Sequence, residues 1–221
     1  MVVRSDIRDL KGLQGKKIGI TRFGSVTDFA IRTLLERHNI KDVNILQMGG
    51  FPEAVAGLAR GAIDGAVLSP PHSFRMIKEG FRELAAPKDL RALGSGFLTQ
   101  GIVARKSFGA THRDIVVRLI KSTVEATKFA MSNEDFTKRA IAKYLGITDP
   151  DLQRQSYQYI GETFVREPFV PESTMQSMVQ RMVQVNMIDA KSAQSTPTSA
   201  YFDNSYVAEL KQSGFLDSVW K

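Results

Sequence analysis

The sequence of 221 residues contains no cysteine. That one absence excludes disulfides, thiolate nucleophiles, cysteine-ligated zinc and iron–sulfur clusters. Histidine is scarce too: His38, His72 and His112 lie far apart, without the spacing of metal ligands, so neither metal nor cofactor is expected. No apolar run is long enough to cross a membrane. The opening stretch MVVRSDIRDLKG has no apolar h-region of a secretory signal. Phosphate-loop and nucleophile-elbow motifs are missing. No carboxylate pair offers acid–base chemistry, since Asp64 sits at a strand start and Glu162 has no acidic neighbour nearby. Together these absences point away from an enzyme.

What is present is the composition of a globular protein, with 43% apolar and 24% charged residues and enough length for one large domain or two small ones. The charge is one-sided, with 30 Lys and Arg against 23 Asp and Glu. A net charge of +7 favours anionic partners. No basic cluster is interleaved with aromatic residues, so nucleic acid is not expected among them.

The first half alternates strand and helix. Lys17 to Thr21 reads as a buried strand, and Ser25 to His38 as a helix with Val26, Phe29, Ala30, Leu34 and Leu35 at helical spacing. Val43 to Met48 is the next strand. A helix follows Pro52, a residue suited to a first turn, and ends at Gly61. Ile63 to Leu68 reads as a third strand, and Pro70-Pro71 separates it from a helix through Phe74 and Ile77. This alternation predicts an α/β fold on a mainly parallel sheet. From Thr111 onward the pattern is almost wholly helical. Thr111 to Asp114 has the form of a capping box, opening a helix that runs towards Ser132. Further helices are expected over Asp135 to Leu145, Pro150 to Tyr159, Glu172 to Val185 and Asp203 to Gln212. FLTQGIVA (97–104) reads as a strand joining the halves. The division is therefore 12–96, an α/β lobe, and 97–221, a crossover strand with helices. The later helices carry apolar faces without a sheet of their own, above all the stripe Met175, Met178, Val179, Met182 and Val183.

The stretch FGSVTDFA, after the first strand, is the leading candidate for a binding site. Gly24 permits a tight turn and close backbone approach. Ser25 and Thr27 supply hydroxyls, and the free N–H groups from Val26 onward favour a negatively charged group. Ser25 with Asp28 also has the form of an ordinary capping box, which needs no ligand. Arg22 beside the turn is able to grip an acidic group bidentately. Gly49-Gly50 and the segment from Ser69 to His72 follow strand ends as well, so these turns should line one edge of the sheet.

Several stretches then carry a resemblance. DLKGLQGKKIGI, Gly24-Ser25, GGFPEAVAGLARGAIDGAVLSPP and the closing FLDSVWK together resemble the type II periplasmic solute-binding proteins of ABC importers. The branch resembled is the one for nitrate, sulfonate, taurine and thiamine precursors. The resemblance implies a periplasmic-binding-protein-like fold of two α/β lobes with a small solute clamped between them. The 12–96 lobe then corresponds to lobe 2, and the later helices to the dressing of lobe 1. It implies an anionic or polar organic solute, an ABC permease as partner, a periplasmic location and no enzymatic activity. Thr99 and Gln100 become candidates because the family's hinge meets its cleft on the crossover strand. Family members carry a segment of roughly one lobe before the DLKG element, and its lack here predicts exposed helical faces that self-associate. Two alternatives share the architecture: the effector domain of a LysR-type regulator, and a pyrimidine-precursor synthase-like enzyme. The enzyme uses a cysteine-rich iron motif that this chain lacks, and the regulator would carry a helix-turn-helix.

Overall fold

The computed structural model describes residues 1–86, 89, 98 and 100–221. It divides into two compact units, one of residues 1–97 with 180–190, the other of residues 98–179 with 191–221.

The first unit carries β1 (Val2–Val3), β2 (Lys17–Ile20), α1 (Val26–Arg37), β3 (Asn44–Gln47), α2 (Phe51–Ala59), β4 (Gly65–Ala66), α3 (His72–Lys78) and β5 (Arg82–Glu83). They form one sheet in the order β3-β2-β4-β1-β5. β2 runs parallel to β3, from Lys17 opposite Asn44 to Ile20 opposite Gln47, and parallel to β4. β1 runs antiparallel to both β4 and β5. The sheet is thus mixed rather than mainly parallel as the alternation predicted. The reason is β1: two valines at the chain start show no period, yet both are fully buried in the middle of the sheet. Alternation along the strands sends neighbours to opposite faces. Val3 and Val67 join Ile18, Ile20, Ala30, Ile31 and Leu34 under α1, whereas Val2, Ala66 and Leu68 join Ala54, Leu58 and Met76 under α2 and α3. Gly65 faces Val3 in register, and a Cβ there would lie 2.7 Å from Val3 Cγ1. Pro52 occupies the first turn of α2, and Gly61, at φ +71°, follows its end.

The second unit is helical: α4 (Lys106–Thr111), α5 (Arg113–Ser132), α6 (Glu134–Leu145), α7 (Pro150–Thr163), α8 (Glu172–Gln184), α9 (Ala190–Ser195), α10 (Ser205–Gln212) and α11 (Phe215–Val219). The end of α8 and the turn after it are counted with the first unit. Of the strand expected over 97–104, residues 98 and 100–104 have no regular structure, and 97 and 99 lie outside the described residues. The capping box at Thr111 is not formed either. Thr111 closes α4, its hydroxyl donating to the Ser107 carbonyl at 2.9 Å, and His112 stands at the N-cap of α5 without a side-chain bond to the helix start, its Nδ1 lying 2.7 Å from Thr111 Oγ1. At α7, by contrast, Asp149 accepts from the N–H groups of Asp151 and Leu152. The apolar faces expected to lack cover find it in part. Val116, Val117, Ile120 and Val124 of α5 pack against Val207 and Leu210 of α10 and Leu216 of α11. The Met175–Val183 stripe contributes no fully buried side chain. Near the C-terminus the Trp220 indole N–H donates to the Arg166 carbonyl at 2.9 Å. Lys211 bridges Glu167 and Asp217, and these hydrogen bonds raise its pKa.

Candidate functional site

Three parallel strands ending together place three turns side by side, as their order predicts. β2 runs into Thr21 to Ser25, β3 into Met48 to Gly50, and β4 into Val67 to Pro71. Hydrogen bonds tie the first two: the Gly49 N–H donates to the Thr21 carbonyl at 2.9 Å, and the Phe23 N–H to Gln47 Oε1 at 3.1 Å. The second and third meet where the His72 ring packs against Phe51, with centroids 5.4 Å apart.

In the first turn Gly24 takes a left-handed φ of +74°, and Ser25 becomes the N-cap of α1 in an extended conformation. Ser25 makes no side-chain cap. Its hydroxyl instead accepts from Thr21 Oγ1 at 3.0 Å and lies 2.8 Å from Thr27 Oγ1, which is itself 2.9 Å from Thr21 Oγ1. The Thr21 N–H donates to Thr27 Oγ1 at 3.0 Å, which fixes this hydroxyl triangle to the end of β2. The capping box of Ser25 and Asp28 is not formed, since the Ser25 N–H goes to the Arg22 carbonyl. Asp28, 1% exposed, accepts the Gly24 N–H at 2.8 Å and the Arg32 Nε–H at 2.7 Å. Arg32 offsets the buried carboxylate, so the helix start is not left with an uncompensated negative charge. The N–H groups of Val26, Thr27 and Asp28 find no acceptor among the described residues. A helix start with hydroxyls beside it suits an anionic oxygen.

The other predicted residues fall as follows. Arg22 is exposed next to the turn, and its carbonyl accepts the Ser25 N–H at 3.2 Å. Gly49, at φ +102°, is exposed, and Gly50 is the N-cap of α2. Ser69 is half-buried and its carbonyl accepts the Ser73 N–H at 3.3 Å. His72 opens α3 half-buried, and its pKa is lowered by burial and then by Arg75, which disfavours an imidazolium. Gln100 is exposed in the second unit, and Thr99 lies outside the described residues. A groove of ≈ 440 Å³ along α2, lined by Met48, Pro52, Glu53, Gly57 and Arg60 among others, contains none of the predicted residues. Among the described residues no cluster of side chains is built to hold a metal ion.

Sequence reasoning missed Thr21, Asp28 as the acceptor for Gly24, and Arg32. The i, i+4 spacing of Asp28 and Arg32 was a usable signal. Met187, whose side chain sits against Gly24, gave no local signal.

Residues 2–146 match the sequence profile of the NMT1-like family. A solved protein of Bordetella bronchiseptica RB50 is similar in fold, with a TM-score of 0.74 and 20% identity over 96% of this chain and 70% of that one. No curated protein sequence matches the chain.

Proposed function

We propose that this chain, which belongs to the NMT1-like family of ABC-type solute-binding proteins, holds a small anionic solute at the turn from Thr21 to Thr27. The family is substrate-binding, non-enzymatic and generally periplasmic, which sets the synthase alternative aside. No helix among the described residues is long and apolar enough to cross a membrane. The observation that carries the proposal is the start of α1, where N–H groups without acceptors adjoin three mutually bonded hydroxyls at the C-terminal edge of the parallel strands. Arg22 and the net charge of +7 favour the same sign of ligand. Gly49, Gly50, Ser69 and His72 border the turn and supply further contacts. The partner that receives the solute is an ABC permease.

Nothing in this arrangement performs bond chemistry. Its action is to replace the water around an anion with fixed donors, and binding then stabilises the fold by mass action. The test is calorimetric titration and thermal shift with nitrate, methanesulfonate, taurine and an uncharged pyrimidine. The anions are expected to bind and the pyrimidine not to. Ser25→Ala removes one hydroxyl without removing a cap, so affinity should fall about five- to tenfold with little change in melting temperature. Binding of an anion undiminished in Ser25→Ala would move the site elsewhere.

A further inference from the structure

A polar turn explains the hydroxyls and N–H groups, but not the two large apolar side chains on its rim. Phe23, directly before Gly24, is 55% exposed, and Met187 is 54% exposed. Met187 arrives from far along the chain, on the segment 180–190 that belongs to the first unit. It is seated on the glycine: a Cβ built on Gly24 would collide with Met187 Sδ and lie 2.8 Å from its Cε.

The seating is held from both sides. On α8, Arg181 is largely buried, at 15% side-chain exposure. It donates from Nη1 to both oxygens of Glu36, at 2.9 and 2.8 Å, and from Nη2 to Thr33 Oγ1 at 3.0 Å. Both partners lie on α1, the helix whose first turn forms the candidate site. After α8 the chain reverses through Asn186, at φ +58°, and the N–H groups of Met187 and Ile188 return to the Met182 carbonyl at 2.8 and 3.4 Å. A forked ion pair and a closed turn thus fix a flexible, polarisable side chain above Gly24, with half its surface open.

We infer that Met187 is a specificity-determining residue of this turn. With the Phe23 ring it receives the apolar body of a ligand whose anionic head lies on the N–H groups of α1. The site then selects organic anions with an alkyl or aryl body over small inorganic or one-carbon anions. Arg181 is a positioning residue that acts through Met187. The inference rests on the reading of the turn as an anion site, and deepens it by naming the ligand class.

The experiment compares methanesulfonate with benzenesulfonate on the full chain by calorimetry. Benzenesulfonate is expected to bind at least about tenfold more tightly, since apolar area leaves water only for the larger ligand. Met187→Gln keeps length and removes apolar character. It should cut that preference to within about threefold by weakening benzenesulfonate more than methanesulfonate, and Met187→Leu should keep the preference. Arg181→Ala should erode the preference as Met187→Gln does, and Arg181→Lys should erode it less. Phe23→Ser, at an exposed position that does not threaten folding, gives a second reading should a Met187 variant fail to fold. Equal binding of both sulfonates to the unaltered chain would overturn this inference and leave the anion site standing. So would a preference that survives both Met187→Gln and Phe23→Ser. If neither sulfonate binds, or Ser25→Ala leaves methanesulfonate binding intact, the anion site itself fails and the inference falls with it.

Discussion

Gly24 shows how much one residue carries at this turn. Its φ of +74° aims the chain from β2 into α1, its N–H is taken by Asp28, and its missing side chain makes room for Met187. Any L-residue here meets a conformational cost and a collision together. Gly24→Ala should lose about 1–2 kcal/mol from the left-handed backbone alone, and more from displacing Met187. Chemical denaturation would read that loss. A midpoint within error of the unaltered chain would mean that the turn is free to change conformation. Gly24 and Ser25 were legible in the sequence because a glycine after an apolar run and before a helical pattern has few other uses. The hydroxyl triangle was half legible: Ser25 and Thr27 stood out, but Thr21 was assigned to the strand. Met187 was not legible, since its importance comes from a contact that only the folded chain creates.

Among the elements, legibility followed length and punctuation. α6 and the start of α7 could be read nearly to the residue, because full helical periods end in Gly146, at φ +66°, and begin after Asp149, which caps α7; the end of α7, four residues beyond the expected Tyr159, could not. β1 and β5 are two residues each, too short for a period of two to appear, so tertiary pairing alone defines them, whereas β4 keeps only Gly65–Ala66 of the strand read over Ile63 to Leu68. β1 has a further consequence. The Met1 ammonium that precedes it is buried and donates to the Ala85 carbonyl, and burial lowers its pKa from 8.0 to about 6, against smaller raising effects of Glu83 and Asp89. Below about pH 6 both folded and unfolded chains carry this proton, and the folded chain bears the whole cost of burying it. Above pH 8 neither does. Between them the unfolded chain binds more protons, so stability of a chain beginning at Met1 should rise with pH, by about 3 kcal/mol over the window. Competitive acetylation of the α-amine across that window reads its pKa directly. A midpoint at the ordinary value near 8 would remove the argument.

At the scale of the whole molecule, the sequence predicted helices left without a core, and the answer is divided. One face of α5 finds partners in α10 and α11, burying Val116, Val117, Ile120 and Val124. The opposite face does not: Ile115, Leu119 and Phe129 remain exposed on α5, as do Phe136 and Leu145 on α6. Phe129 and Phe136 meet edge to face at 5.0 Å, so the apolar surface continues from one helix to the next. Scattered apolar side chains are normal on a protein surface, whereas a contiguous patch marks a contact face. Each such side chain, if fully buried, would contribute about 1.5–3 kcal/mol, enough in combination for one copy of the chain to cover another. The expected outcome is a weight-average mass that rises with concentration in light scattering, accompanied by binding of a hydrophobic dye. Leu119→Lys with Phe129→Lys should suppress both without lowering the melting temperature, because neither residue belongs to the buried cluster. A mass that stays monomeric through the dilution series, with no dye bound, would mean that this face is only surface, and that the cluster of α5, α10 and α11 is all the apolar burial these helices require.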